Sequence, residues 1–408
     1  MTKPARAGLA LLIIVAAGWL AWRIVVAFVA DRLAADSPRQ ALQLDPRNPQ
    51  ALLQLAQTQF NDGQFDAAGD TARQLLSNEP LNPDAFVLLA KAAEKRGDTA
   101  TAEKLFEVAV RRAPRDPYAR AWLIENLLSK RQYADALKQF DTLSRVAPGA
   151  AADFMPLFTQ LSANAEFARA LVVALSGDAR WKDAMLAALL EHGSHDAQQG
   201  ILGELQSRGT LSLDEAGRWL DRLMQDGAWG EAYGRWVGSL KLAPGTSLPL
   251  LYNGDFAREP SGIGFDWRVS PTAGVSIERE ALEGAPGSYA VHVAFSGRRV
   301  PDINMEQRLL LAPGACRLSF RARAQSLHSD KGLQWALQCI GQSEPIAASA
   351  ALQGSFDWRR ADTEFTVPDE GCPAQRLSLR NPGAAAAGKA VEGDIWFTDM
   401  AIRCGAAP

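Results

Sequence analysis

Four cysteines, Cys316, Cys339, Cys372 and Cys404, carry the most specific chemistry in this 408-residue sequence, and all lie in its last quarter. An even set confined to one segment predicts two disulfides in an oxidising compartment. Four reduced, buried thiols are the alternative. An alternating strand starting at Cys316 and a last strand ending at Cys404 put those two side by side if they run antiparallel. Cys339 is then left for Cys372. Arginine is the second group. In the strand-like stretch 316–324, Arg317, Ser319, Arg321 and Arg323 share one side; in 376–380, Arg376, Ser378 and Arg380 do. Gln334 and Gln338 oppose Trp335 and Leu337 in a third such stretch. The planar guanidinium fork matches carboxylates in two-point contact. If these strands share a sheet, Arg317, Arg321, Arg323, Gln334, Gln338, Arg376 and Arg380 converge as a site for an acidic glycan. A solvated outer face is the plainer explanation.

Catalytic arrangements do not emerge. The sequence holds no HExxH pair, no Gly-x-Ser-x-Gly elbow and no phosphate-cradling glycine loop. His192 and His195 read as a loop between helices, and His292 and His328 stand apart from any base-and-nucleophile pattern. A formal net charge of −3 argues against nucleic acid as a partner. The chain reads as a binder, not an enzyme, and no cofactor is called for.

The elements that hold these residues are announced by proline. Pro46, Pro80, Pro114 and Pro148 recur 34 residues apart, as do Pro49, Pro83 and Pro117. Ala51, Ala85 and Ala119 keep the same period, and Gly63 and Gly97 recur at the midpoint, where Arg131 takes the third place. Apolar residues repeat at helical spacing on both sides of each midpoint. Such a period marks helix–turn–helix units stacked into a solenoid.

These units resemble tetratricopeptide repeats, on Ala56, Ala68, Ala90, Ala102, Ala109 and Ala136 at close helix contacts, on Phe65, Tyr133, Phe106 and Phe140, and on the closing prolines. Ile124, Ala72 and Arg131 depart from the pattern. The resemblance implies a concave groove that takes a partner protein or peptide, lined by the first helix of each unit. It nominates Gln57, Phe60 and Asn61, then Lys91, Glu94 and Lys95, then Tyr118, Trp122 and Glu125. The Lys/Asn clamp for a peptide carboxylate is not reproduced. For Tyr118 and Trp122, packing between helices competes with recognition.

Before the repeats, residues 7–30 are almost wholly apolar, about 24 residues, enough to span a bilayer. Arg23 is the exception, late in the span. Lys3 and Arg6 precede it, which places the N-terminus in the cytoplasm and the bulk of the chain in the periplasm. A cleaved signal peptide is the other reading. Ser37 and Pro38 start a half repeat. After Pro148 the period fades, but helical spacing continues to about residue 242 as degenerate repeats.

From residue 250 the pattern changes to short alternating strands, at 274–280, 289–295, 305–310, 316–324, 333–340, 363–367, 376–380 and 394–403. Such a run predicts a β-sandwich. It resembles jelly-roll carbohydrate-binding modules, on Asn253-Gly254-Asp255-Phe256, on Gly264 and Trp267, on Pro313-Gly314, on Trp358 ahead of a strand, and on Asp399 in the last strand. The resemblance implies a glycan ligand and nominates Asp255 and Asp399 for a structural calcium, although Ala257 stands where an acidic residue often follows. Trp335 alternates with the core side of its strand.

The expected architecture is therefore multidomain: a cytoplasmic tip and transmembrane anchor at 1–30, tetratricopeptide-type repeats at 31–150, degenerate helical repeats at 151–243, a linker at 244–250 and an all-β jelly-roll sandwich at 251–408. The expected role is an inner-membrane, single-pass scaffold in cell-envelope or exopolysaccharide assembly, with a protein in the groove and a polysaccharide on the sandwich. A protein–protein adaptor without glycan binding is one alternative. A cytoplasm-facing regulator of lipopolysaccharide synthesis is another, opposed by the cysteines and by Lys3 and Arg6.

Overall fold

The computed structural model describes residues 3–240, 242, 245–282, 284–382 and 390–405. The chain forms two compact units, residues 1–205 and 206–408.

The first unit is helical. It begins with α1 (Lys3–Ala34), whose stretch Ile14–Ala34 is long and apolar enough to cross a membrane. The side chains of Lys3 and Arg6 lie outside the described residues. Helix α2 (Pro38–Leu44) leads into three helical hairpins. These pair α3 (Pro49–Asn61) with α4 (Phe65–Asn78), α5 (Pro83–Lys95) with α6 (Thr99–Arg112), and α7 (Pro117–Ser129) with α8 (Tyr133–Val146). Pro49, Pro83 and Pro117 open their helices, where the missing N–H costs nothing. The side chains of Asn48, Asn82 and Asp116 just before them accept from the N–H groups of Ala51, Ala85 and Ala119 at 2.8, 3.1 and 2.9 Å. The 34-residue period is thus a period of caps as well as of core. Gly63 and Gly97 turn the chain at φ 76° and 81°, and Arg131 adopts φ 57° at the third such turn, a strain of about 1 kcal/mol. Ala56, Ala68, Ala90, Ala102, Ala109 and Ala136 are fully buried, as close helix contact requires. The unit continues through α9 (Pro148–Ala152), α10 (Met155–Leu161), α11 (Ala165–Leu175), α12 (Lys182–His192) and α13 (His195–Ser207). Here rings replace alanines: Phe140 packs edge-on against Phe158 at 4.7 Å and Trp181 at 4.9 Å.

The second unit opens with α14 (Leu213–Gln225), started by a capping box between Ser212 and Glu215, and α15 (Trp229–Ser239). These two helices group with the strands, not with the repeats. Pro244 of the linker lies outside the described residues. Among the described residues ten strands follow: β1 (Arg268–Val269), β2 (Val275–Ala281), β3 (Tyr289–Arg299), β4 (Met305–Leu309), β5 (Gly314–His328), β6 (Gln334–Cys339), β7 (Pro345–Ala348), β8 (Gly354–Val367), β9 (Gln375–Arg380) and β10 (Ala390–Cys404). They form two antiparallel five-stranded sheets, β1-β4-β9-β6-β7 and β2-β3-β10-β5-β8, a jelly-roll sandwich. Phe256, Trp267, Trp335, Phe320 and Phe397 fill its core. Disulfides join Cys316 to Cys404, a register pair of β5 and β10, and Cys339 to Cys372. The opening Asn253 adopts φ 54°, accepts the Arg258 N–H at 3.0 Å and donates to the Arg258 carbonyl at 2.9 Å. Its own carbonyl accepts the Trp267 indole N–H at 3.0 Å, so the Asn-Gly-Asp-Phe turn is fastened to the core.

Two expectations need correction. Trp358 lies inside β8, because Ser355-Phe356-Asp357-Trp358-Arg359 already alternates polar with aromatic residues and pairs with β5. More consequentially, β5 belongs to one sheet and β6 and β9 to the other.

Candidate functional site

The arginines and glutamines singled out in the sequence therefore divide between opposite faces of the sandwich. On the β1-β4-β9-β6-β7 sheet, Gln338 pairs across the strands with Arg376, and Gln334 with Arg380. Gln338 is buried, and its Oε1 accepts from Arg376 Nη2 at 2.9 Å and also from Arg380 Nη2. Arg380 Nε donates to Ser378 Oγ at 3.2 Å. Gln334 instead turns to the Ser349 carbonyl at 2.9 Å. Two guanidiniums are thus aimed by one neutral oxygen, which orients them without cancelling their charge. Glu306, which the sequence reading did not single out, is the nearest carboxylate, 3.6 Å from Arg376. A cavity of about 540 Å³ opens over this set, bordered by Glu306, Arg376, Ser378, Arg380 and the 301–304 loop.

The other face is built differently. Arg317 pairs with Glu364 at 2.5 Å, and Arg321 with Asp399 at 3.3 Å while lying 5.4 Å over Trp358. Arg323 sits 5.3 Å over Trp396. Trp396 also stacks on His292, with centroids 4.3 Å apart and planes 5° from parallel. His292 Nδ1 lies 2.7 Å from Glu280 and Nε2 2.8 Å from Asp394. The Trp396 indole N–H, donated at 2.9 Å, and then His292 hold the Glu280 carboxyl below the usual range for a glutamate. The cluster joins β2, β3, β10 and β5, a pairing that no local pattern reveals. Charges on this face are largely answered by their neighbours.

In the first unit, Lys91 Nζ stands 3.7 Å over the Tyr118 ring, and the Trp122 indole donates to Glu94 at 2.7 Å. Trp122 also lies 4.4 Å from the buried Phe106 ring, so packing accounts for one of its faces. Tyr118 is 46% exposed. Its hydroxyl is pushed up by burial, then by Glu94 and Glu125. Lys91, Glu94, Tyr118, Trp122 and Glu125 thus form one cluster. Phe60 pairs with Phe65 at 5.3 Å, and Asn61 and Lys95 are exposed. A cavity of about 650 Å³, lined by Leu137 of α8 and by Ala170, Val173 and Trp181 among others, was not legible because most of its lining lies where the period has faded.

Asp399 has a guanidinium as its counter-charge, and Asp255 closes a turn by accepting the Ala257 N–H at 3.2 Å. Among the described residues no group of three or more His, Cys, Asp or Glu gathers to hold a metal.

Two tetratricopeptide repeat models match residues 53–117 and 93–155, so the helical segment carries these repeats. No curated protein matches the chain. Among solved structures, YrrB, a TPR protein with an unusual peptide-binding site, is 14% identical, covering 51% of this chain and all of its own at a TM-score of 0.31. The Yersinia enterocolitica type III secretion chaperone SycD, in complex with a peptide of the translocator YopD, is 18% identical, over 30% of this chain and 91% of its own, at 0.24. A CBM4 structure is 14% identical, over 38% of this chain and 99% of its own, at 0.29.

Proposed function

We propose that the protein is a membrane-anchored, non-enzymatic scaffold of an oxidising envelope compartment, the periplasm. Its repeat groove takes a protein partner around Lys91 and Tyr118, and its sandwich takes an acidic glycan in cell-envelope or exopolysaccharide assembly. The observation that carries the glycan reading is the pair Arg376 and Arg380, both donating to Gln338 beneath an open cavity. A carboxylate entering there meets two forks already oriented, with Glu306 3.6 Å from Arg376 and Asp302 also on the border of the cavity. The arginines of the opposite face, paired with Glu364 and Asp399, contribute less. The apolar helix α1 and the two disulfides support an extracytoplasmic location.

The test is titration of the detergent-solubilised full chain with polygalacturonate, alginate and neutral laminarin at low and high salt. Acidic polymers should bind, and binding should weaken as salt rises. Arg376→Gln and Arg380→Gln should each abolish most of it. Equal binding of laminarin, or unaltered binding by both variants, would sink the reading.

A further inference from the structure

We infer that the cavity over Arg376 and Arg380 captures the terminal residue of an acidic glycan and not an internal stretch of the polymer. This inference rests on the acidic-glycan reading above. The cavity lies over β9 and the start of β4, so a sugar chain crossing the sheet through it would have to continue over β1 to leave on that side. That path is closed. Asp221 of α14 holds Arg268 of β1 at 2.6 Å and Arg308 of β4 at 2.8 Å, and both arginine side chains are about four-fifths covered. Arg308 is the register partner of Arg376, so α14 stands directly beside the site. Met224 Sδ, 2.8 Å from Arg308, adds a second contact from the same helix.

The helix is not free to swing aside. A Cβ on Gly217 would meet the Ile263 side chain at 3.4 Å, and one on Gly264 would fall 2.3 Å from the Trp236 ring, so the Ile263 side chain packs on α14 and the Gly264 backbone on α15. Trp236 packs further on Phe265 at 5.5 Å and Tyr252 at 5.0 Å. What remains open beside this wall is the cavity bordered by Glu306 of β4 and by Arg376, Ser378 and Arg380 of β9. That is a pocket for an end, or for the tip of a branch, walled at one side by protein.

The experiment compares digalacturonide, longer oligogalacturonides and polygalacturonate as ligands of the detergent-solubilised full chain, with the stoichiometry on the polymer read by light scattering. Capture of an end predicts that half-saturation, expressed per mole of chain ends, changes by no more than about twofold with length, and that one protein loads per polymer chain. Arg380→Gln should lose binding of the dimer and the polymer alike. Many copies loaded along each polymer, with affinity rising with length, would overturn end capture while leaving acidic-glycan binding intact. Failure of every galacturonide to bind, or full binding by Arg380→Gln, would overturn both.

Discussion

Asn48 donates a hydrogen bond from Nδ2 to Asp31 Oδ1 at 2.6 Å, while its own Oδ1 caps α3 on the Ala51 N–H. The last turn of the apolar helix is thereby built into the first repeat. Ala30 and Ala34 are fully buried against Ala41 and Ala51. A tether would leave these residues in solvent; here they complete a core.

This geometry predicts that the helix is retained as an anchor. Cleavage near Ala30 would have to unwind helix that is already packed, and would expose Ala41 and Ala51. Intact mass measurement of the protein extracted from membranes should find residues before Ala30 still attached. A mature chain beginning between Ala30 and Ser37 would refute it. Asn48→Ala, which removes the cap and the Asp31 bond together, should cost about 2 kcal/mol in denaturant melts.

The disulfides close long stretches of chain, 88 and 33 residues apart in sequence. In the chain-entropy account each stabilises by about 3–5 kcal/mol. Paired Cys→Ala replacement at Cys316 and Cys404 should lower the melting temperature of the sandwich. Non-reducing peptide mapping checks the pairing, and four free thiols or a Cys316–Cys339 link would contradict it.

In the proposed repeat groove, Tyr118 and Trp122 separate by experiment. Tyr118 presents its ring with Lys91 above it, whereas Trp122 is fixed on Phe106 and bonded to Glu94. Tyr118→Ala with Lys91→Ala should weaken a captured partner protein and leave melting nearly unchanged. Trp122→Ala should cost about 2–3 kcal/mol, short of the loss for a fully buried tryptophan. A destabilised Tyr118 variant with intact partner binding would make that ring structural.

What was legible in the sequence follows what is local. A cap such as Asn82, a proline at the first helical position and a buried Ala102 each act within one turn of chain, so a 34-residue comparison finds them. Strand alternation is local too, and it gives the inward side of β5 and β9. Which sheet a strand joins is decided by partners far away: Arg317 faces Arg403 and Glu364, while Arg376 faces Gln338 and Arg308. No spacing encodes that choice, which is why two groups of arginines that look alike end on opposite faces. The role of α14 was hidden for the same reason, since Asp221 meets Arg308 across 87 residues.

The last prediction concerns acid. Glu280 accepts the Trp396 indole N–H and lies beside His292, and its carboxyl is held below the ordinary value, chiefly by that indole. A carboxyl whose folded-state value is depressed contributes stability that is present above the unfolded value, about 4.3, and is lost as pH falls through the folded one. Glu280 is 45% exposed, so solvent screens the effect and the loss is a slope, not a collapse. Glu280→Gln keeps an acceptor for Trp396 and removes the titrating charge. Melting temperature followed downward from pH 5.5 should therefore fall less steeply in Glu280→Gln than in the parent protein. At neutral pH the variant should sit lower, because the Trp396 indole then donates to a neutral oxygen in place of a carboxylate. Parallel curves over the whole acid range would show that the Glu280–Trp396–His292 cluster contributes packing alone.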